Sequence, residues 1–373
     1  MLHMADRGVF LSSTTPIDDE NVKRSSVASV AASAGHWLRS LAAPCAARLP
    51  RMFTMRFDMR APGGVDTTPA LYEAAIGMAE WAEGRGGVMC LISEHHTSPD
   101  GYLPSPLLLA SAMAARTTSM PFVIGAALMP FYDPIRLAED MAVLDIISNG
   151  RVSYVMALGY RPEEFEMFGV GWDERGSVAE AKLTVLLQAL TGEPFEHEGR
   201  RVHVTPAPAH PIQVSWGGGT KPAARRAGRH GLGFFAESNA DGLLEAYEAA
   251  AREHGHEPGQ AALPAPGTPT TVFVADDVDR AWEEIGPHML HDINAYGEWN
   301  VDKTNIASLS NARTIDDLRA EQGSYRIYSV DEAVDLVKNG GVLMLQPLCG
   351  GLPPELAWKY VKVVTGEVIP ATR

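Results

Sequence analysis

Three consecutive residues, Glu94, His95 and His96, have side chains suited to moving protons. They follow a continuous apolar run, residues 88–92, which is typical of a parallel strand buried on both faces. In parallel α/β folds the loops after the strands converge on one edge, where chemistry is placed. An imidazole with a pKa of about 6.5 transfers protons at neutral pH. Either histidine alone is equally well explained as an ordinary loop residue, but the pair favours a site.

A second candidate group is the run Trp216, Gly217, Gly218, Gly219 and Thr220, which follows an apolar strand and precedes a helix. Free backbone N–H groups, a hydroxyl and a helix N-terminus together favour phosphate binding. The run lacks the G-x-G-x-x-G spacing of dinucleotide-binding folds, and glycines before a helix are often only a tight turn. We expect a phosphate site here if the turn lies at the same edge as the histidines.

Gly125, Ala126 and Ala127 end another apolar stretch with almost no side-chain volume. Such a surface lets a planar ring system lie directly against backbone, although close helix packing would also favour small residues. Tyr160 and Arg161, which follow the next strand, are candidates for contacting the ring or a substrate.

Regular alternation of strands and helices positions these groups. We predict strands at residues 55–59, 87–93, 122–128, 151–158, 212–216, 232–236, 271–275 and 341–345. We predict helices at residues 69–84, 106–115, 133–147, 179–192, 221–230, 240–254, 278–291 and 353–364, and a small hairpin at residues 195–204. Eight strands, each leading to a helix, predict an α/β fold of the (β/α)8 TIM-barrel type.

The first 51 residues lie outside this alternation. They are rich in Ser, Ala and Arg and have neither a regular apolar period nor the apolar core of a secretory signal. We expect a disordered extension or an over-long reading frame, with the functional start at Met52 or Met55; a targeting peptide within residues 36–51 is the alternative. The barrel domain is therefore predicted at residues 52–373.

A second segment, residues 296–328, interrupts the seventh βα unit as a polar insertion. It contains Tyr296, Trp299 and Tyr325, which make it a candidate lid. A decorative insertion or an oligomer contact explains its length equally well.

Composition limits the class of partner. The net charge of −15 and the pI of about 5.2 argue against a nucleic-acid or anionic-membrane surface. We therefore expect a small-molecule substrate. No apolar run reaches the length of a membrane-spanning helix, so we do not expect an integral membrane protein. The three cysteines, Cys45, Cys90 and Cys349, are far apart and suggest neither a disulfide framework nor a metal site, and they fit a reducing cytoplasm.

The run FVIGAALMPFYDPIRLAEDMAVLDIISNGRV (residues 122–152), followed by ALGYRPEEFEMFGV (residues 157–170), resembles the bacterial luciferase-like, flavin-dependent monooxygenase family. The family is similar in its Glu-His-His after strand 2, its Gly-rich turn after strand 5 and its terminal Glu-Val-x-Pro, here residues 367–370. The resemblance covers residues 52–373. It implies a flavin phosphate at residues 216–220 and a non-proline cis peptide with a bulge at residues 125–127.

The resemblance also implies a chemistry. A separate flavin reductase would supply reduced FMN, which the protein would use with O₂ to oxygenate a small organic substrate. His95 is the expected proton-transfer residue, Glu94 would orient an imidazole or cap the loop, and His96 would complete the wall. Ala157 and Leu158 stand where luciferases proper have a cysteine and an arginine, which argues against light emission. We also expect a homodimer.

Three alternatives remain open at this point. An enzyme of the same fold that uses coenzyme F420 for hydride transfer shares most of these motifs, and the Glu-His-His triplet favours FMN. A non-catalytic flavin-binding protein of the family would be expected to have a shortened barrel. A metal-dependent barrel hydrolase would need His-x-His after the first strand, where this chain has Met59-Arg60-Ala61-Pro62.

Overall fold

The computed structural model describes residues 52–300 and 306–372, so the expected disordered extension at residues 1–51 lies outside the described residues. Twelve strands form in this part of the chain. They are β1 (Phe53–Phe57), β2 (Gly87–Ile92), β3 (Phe122–Leu128), β4 (Val152–Ala157), β5 (Phe195–His197), β6 (Arg200–Val202), β7 (Gln213–Gly217), β8 (Gly233–Phe235), β9 (Ala261–Ala262), β10 (Thr271–Ala275), β11 (Tyr325–Ser329) and β12 (Leu343–Leu345).

Ten of these strands form one parallel sheet in the order β11-β10-β12-β1-β2-β3-β4-β7-β8-β9. All eight predicted barrel strands are present, with ends shifted by at most two residues. β1 pairs with both β2 and β12, so the first and eighth barrel strands are neighbours, as barrel closure requires. The predicted (β/α)8 barrel is confirmed, and the predicted hairpin is the antiparallel pair β5–β6.

The barrel wall is irregular at one seam. Among the described residues the sixth barrel strand, β8, does not pair with the seventh, β10. β8 pairs instead with the two-residue β9, and β10 pairs with β11. The end of the predicted insertion, residues 296–328, therefore supplies a strand of the sheet.

Helices connect the strands. They are α1 (Thr68–Ala82), α2 (Pro106–Arg116), α3 (Pro134–Ser148), α4 (Pro162–Phe168), α5 (Arg175–Ala189), α6 (Lys221–Arg229), α7 (Leu243–Glu253), α8 (Val278–Trp299), α9 (Ile315–Glu321), α10 (Val330–Lys338), α11 (Pro354–Val363) and α12 (Ile369–Ala371). Several begin with proline, which has no backbone N–H. No hydrogen bond is lost there, because the N–H groups of the first turn have no acceptor within the helix. No helix in the described chain has the length and apolar character needed to cross a membrane.

The start and end of α3 illustrate how local sequence sets these bounds. The carboxylate of Asp133 accepts hydrogen bonds from the backbone N–H groups of Ile135 and Arg136, which have no partner inside the helix. The helix ends where Asn149 adopts the left-handed conformation. These residues explain why the helix lies within one residue of its predicted bounds, 133–147.

One predicted helix, α8, extends well beyond its expected end, and four helices, α4, α9, α10 and α12, were not predicted. α8 was expected to end at residue 291 but continues to Trp299, so Tyr296 and Trp299 belong to a helix and not to a loop. The signal was present, because Met289, Ile293 and Tyr296 continue the apolar three-to-four spacing and are buried.

Candidate active site

His95 lies just beyond the C-terminal end of β2. Its backbone N–H donates to the carbonyl oxygen of Leu103 at 3.1 Å, which fixes the loop. Its ring Nδ1 lies 2.8 Å from Oε1 of Glu164, and its ring Nε2 lies 3.1 Å from the hydroxyl of Tyr160. Both ring nitrogens are therefore engaged, and the residue is only 6% exposed.

Glu164, in the first turn of α4, organises the loop that carries both histidines. Besides the imidazole of His95, its Oε1 accepts the backbone N–H of His96 at 2.8 Å and lies 3.4 Å from a guanidinium nitrogen of Arg161. Burial acts to raise the pKa of Glu164, but the hydrogen bonds from His95 and His96 and the charge of Arg161 outweigh it, so the pKa is lowered. Glu164 was not among the predicted site residues, although an acidic residue shortly after the end of a barrel strand was a visible signal in the sequence.

The protonation state of His95 follows from these contacts. Burial lowers the pKa of His95, and its bond to Glu164 offsets only part of that shift. The imidazole is therefore neutral at pH 7. Since a carboxylate can only accept, Nδ1 carries the proton and Nε2 accepts from the Tyr160 hydroxyl. Burial raises the pKa of Tyr160, which keeps that phenol protonated.

Glu94 and His96 form a second pair behind this one. Nε2 of His96 lies 2.9 Å from Oε1 of Glu94, whose Oε2 accepts from the hydroxyl of Tyr132 at 2.7 Å and from the N–H of Leu128 at 3.3 Å. Burial raises the pKa of Glu94, and its hydrogen-bond donors offset this only in part. The His96 ring packs edge-on against Phe168 at 4.7 Å between centroids. Glu94 thus ties the loop after β2 to the end of β3.

A cavity of about 470 Å³ occupies the C-terminal end of the barrel. It brings together most of the predicted site residues: Glu94, His95, Gly125, Ala126, Tyr160, Trp216, Gly217, Gly218, Gly219 and Thr220. Three predicted residues, His96, Ala127 and Arg161, do not line it. His96 instead lines a separate cavity of about 590 Å³ between α2 and α3, while Ala127 and Arg161 are buried outside both cavities.

The small-residue end of β3 forms one wall of the cavity of about 470 Å³. The Gly125–Ala126 peptide bond is cis, and the register with β4 shifts between Gly125 and Ala127, so both features implied by the resemblance are present. A Cβ on Gly125 would lie 2.6 Å from Cδ1 of Leu91. Only glycine leaves this backbone open, which fits the wall expected for a planar ring.

The turn after β7 forms the opposite end of the same cavity. The N–H of Gly218 is already used by the carbonyl oxygen of Phe235, but among the described residues the N–H groups of Gly219, Thr220 and Lys221 have no acceptor. The Thr220 side chain caps the nine-residue helix α6. Unpaired N–H groups at a helix N-terminus attract anions, so these residues fit the phosphate of a flavin.

Cationic side chains near this turn add no free charge to the cavity. Lys221 and Arg225, in the first turns of α6, are exposed and do not line the cavity. Arg226 lines it, but its guanidinium is occupied by Glu180 at 2.6 Å and stacks over Trp216 at 4.9 Å. Phosphate binding at this turn would therefore depend on backbone N–H groups.

Trp299 covers His95 from the side of α8. Its ring lies 4.9 Å from the imidazole, with Arg60 at 4.5 Å and Arg161 at 4.1 Å from the indole centroid. Two guanidinium groups over one indole make a favourable cation–π arrangement that holds the ring in place. Trp299, which was predicted to be part of a candidate lid, therefore contacts His95, the predicted proton-transfer residue.

Comparison with known proteins agrees with this geometry. The sequence model described as luciferase-like monooxygenase matches residues 55–342. The chain belongs to this family. Over the stretches they share, it is 27% identical to 4-hydroxyprotoasukamycin monooxygenase of Streptomyces nodosus subsp. asukaensis, covering 70% of this chain and 75% of that protein.

Other relatives align over shorter stretches. The oxygenase component of the flavin-dependent trigonelline monooxygenase of Acinetobacter baylyi is 29% identical over 39% of this chain and 41% of that protein. The uncharacterized protein y4vJ of Sinorhizobium fredii is 30% identical over 45% of this chain and 50% of its own length. The chain thus spans about half the length of some curated relatives that it matches.

Solved structures share the fold. The monooxygenase RslO1 of Streptomyces bottropensis superposes with a TM-score of 0.68 at 21% identity, covering 86% of this chain and all of that one. The oxygenating constituent of 3,6-diketocamphane monooxygenase of Pseudomonas putida, in complex with FMN, gives 0.62 at 19% identity over 86% and 99% of the two chains. An F420-dependent secondary alcohol dehydrogenase gives 0.56 at 16% identity over 86% and 98%.

Proposed function

We propose that this protein is a two-component, flavin-dependent monooxygenase that uses reduced FMN and O₂ to oxygenate a small organic substrate. One observation carries the proposal: His95, the Gly125–Ala126 wall and the turn at Gly218–Thr220 line a single cavity. A relative named as an oxygenase component supports a separate flavin reductase as the source of reduced FMN.

Each group has a part to play in this reaction. The backbone N–H groups of Gly219 and Thr220 would hold the phosphate, and the Gly125–Ala126 backbone would support the ring. The bound reduced flavin supplies the electrons and the site at which O₂ is activated. His95 holds or releases a proton at Nε2, the ring nitrogen nearest Tyr160, while Glu164 keeps Nδ1 protonated.

Apolar side chains in the cavity wall exclude water from the reacting groups. Leu91, Val155, Trp216, Phe235 and Met344 all line the cavity. A dry wall strengthens the hydrogen bonds made to a reacting oxygen and disfavours wasteful release of hydrogen peroxide.

Coenzyme F420 is the second candidate cofactor, and an F420-dependent dehydrogenase shares the fold. Anaerobic titration of the purified protein with reduced FMN, reduced riboflavin and reduced F420 separates the two. We expect reduced FMN to bind at least tenfold more tightly than either of the others. Tighter binding of F420 would replace the proposal with hydride transfer.

A variant at the turn tests the phosphate assignment. Gly218→Asp places a carboxylate beside the free N–H groups and should weaken binding of reduced FMN strongly, with less effect on reduced riboflavin. Because Gly218 has a φ of 138°, some loss would come from backbone strain alone. Gly84→Asp, at a positive-φ glycine with open space around it, is the matched control. Equal losses for both flavins would contradict the assignment.

We also propose that two copies associate through the outer faces of α2 and α3. Leu108, Val143 and Ile147 are exposed there and line the cavity of about 590 Å³ together with Phe168. An exposed cluster of large apolar residues of this kind marks an association surface. For localisation we propose the cytoplasm, because Cys90 and Cys349 are free thiols.

A further inference from the structure

Arg56, in the middle of β1, extends its side chain into the cavity that contains His95. Its guanidinium donates to the hydroxyl of Tyr296 and lies 5.5 Å from the centre of that ring. Within residues 52–300 and 306–372 no carboxylate lies within 4.0 Å of it. A guanidinium is charged at every physiological pH, so the cavity contains a cation whose hydrogen-bond partner among the described residues is a neutral phenol, with Asp58 and Asp292 acting on it only from beyond 4.0 Å.

The positive charge of the neighbouring Arg60, unlike that of Arg56, is balanced by carboxylates in direct contact. Its guanidinium nitrogens lie 2.5 Å from Asp100, 2.8 Å from Asp292 and 3.6 Å from Asp58. Arg60 is fully buried, whereas Arg56 retains surface that faces the cavity. The nearby aspartates contact Arg60 directly and act on Arg56 only at longer range, so Arg56 presents its remaining N–H donors to whatever fills the cavity.

The place of Arg56 in the barrel separates it from the proposed flavin groups. Arg56 is in register with Leu91 on β2, and Cδ1 of Leu91 occupies the space next to Gly125 on β3. The Gly218–Thr220 turn follows β7, which is further round the barrel beyond β4. Leu91 thus stands between Arg56 and the wall proposed for the ring, so the cation faces the substrate side of the cavity.

We propose that Arg56 binds the carboxylate of the substrate, which makes the substrate an organic acid. A cation held in a largely apolar cavity is costly until an anion pairs with it, and a planar carboxylate accepts two parallel N–H bonds from a guanidinium. Thr54 and Met344 line the wall beside it and leave room for the rest of the molecule. This inference rests on the proposed monooxygenase function, whose oxygenation step would act on another part of the acid.

The test uses two probes of the same shape and different charge. Calorimetric titration of the full chain, without flavin, with benzoate and benzamide measures the preference for the anion. We expect benzoate to bind at least tenfold more tightly. Arg56→Met, which keeps an unbranched apolar chain, should abolish that preference, and Arg56→Lys should restore part of it. Arg252→Met, at an exposed arginine on α7, should leave the preference intact.

Reduced-FMN affinity, measured anaerobically on the same variants, distinguishes this proposal from the one on which it rests. We expect Arg56→Met to bind reduced FMN as the native chain does, which also shows that the variant is folded. A native chain without a benzoate preference, or a preference that survives in Arg56→Met, would overturn the substrate assignment. Loss of reduced-FMN affinity in Arg56→Met would assign Arg56 to the cofactor instead. Failure of the native chain to bind reduced FMN would count against the monooxygenase proposal alone.

Discussion

Oε1 of Glu164 lies 2.8 Å from Nδ1 of His95, although the two residues are 69 positions apart. One carboxylate on a short helix thereby fixes the tautomer of an imidazole on the loop after another strand. The arrangement leaves Nε2 unprotonated at the cavity wall, where its lone pair accepts from the hydroxyl of Tyr160. Glu164 is in this sense a positioning residue that acts through His95.

The first prediction concerns that carboxylate. Glu164→Gln keeps the volume and one acceptor oxygen but removes the charge that stabilises a protonated imidazole. We expect turnover to fall by about tenfold or more, though less than on removal of the imidazole, with reduced-FMN affinity unchanged. Steady-state kinetics on this variant and on Glu163→Gln, its exposed neighbour, provide the comparison. Equal activity in both variants would show that the carboxylate has no positioning role.

The two histidines should differ in their effects. His95→Ala should lower turnover by about two to four orders of magnitude with a modest change in flavin affinity, and His95→Gln should be nearly as poor because an amide does not titrate. His96→Ala should cost less, because the His96 ring faces the cavity between α2 and α3. Rapid-mixing absorbance and hydrogen peroxide release measure coupling. If His96→Ala alone abolished activity, the proton-transfer role would pass to His96.

The pH dependence follows from the lowered pKa of His95. Activity that needs the neutral imidazole is present above this pKa and is lost as pH falls through it, so the acid limb of kcat/KM should lie below about 6.5. Glu164→Gln should move the limb further down, because the imidazolium loses its anion. Tyr160→Phe should move it up, because the neutral form loses a donor to Nε2. Shifts in the same direction in both variants would contradict the assigned tautomer.

A clash introduced at Gly125 can be relieved by a second substitution at Leu91, which tests the proposed flavin wall. Gly125→Ala forces a Cβ to within 2.6 Å of Cδ1 of Leu91, so either the leucine moves into the cavity or the wall shifts. We expect a loss of about 1–3 kcal/mol in unfolding free energy and weaker binding of reduced FMN. Adding Leu91→Ala should relieve the clash and recover much of the affinity. No recovery in the double variant would show that the backbone at Gly125, and not the leucine, limits the fit.

Introducing a charged side chain on α3 tests the proposed association surface. Val143→Glu on α3 should convert a dimer to a monomer in analytical ultracentrifugation, because an unpaired carboxylate in an apolar interface is costly. Val65→Glu, at a residue that is 82% exposed and distant from α3 in sequence, is the control and should leave the mass unchanged. A native chain that sediments as a monomer at all concentrations would rule out the dimer.

Most of the fold was predictable from local sequence. Continuous apolar runs fixed all eight barrel strands, and residues such as Asp133 and Asn149 fixed helix ends, because both signals act within a few positions of the chain. The end of α8 was missed because Gly297 and the polar residues around it obscured an apolar spacing that continues to Tyr296.

The site was predictable only in part. Glu94, His95 and the Gly-rich turn were found because each follows a strand whose end must reach the cavity. Glu164 and Arg56 were missed because their significance lies in distant partners, His95 and Tyr296, which no local pattern connects. Arg161 was wrongly expected at the cavity wall for a similar reason. Its guanidinium donates instead to the carbonyl oxygen of His96, a partner that no local pattern identifies.

The seam between β8 and β10 bears on how such barrels diversify. Two long connections between consecutive barrel strands, residues 236–270 and 276–342, flank this seam, and residues from both, Pro264 and Ile306 among them, touch the cavity. Among the described residues no backbone hydrogen bonds join the sixth barrel strand to the seventh. A change in the length of the loop between them therefore leaves the strand registers in the rest of the wall unchanged. Segments grafted into residues 236–270 can therefore change recognition while His95, after β2, and Glu164, after β4, keep their positions.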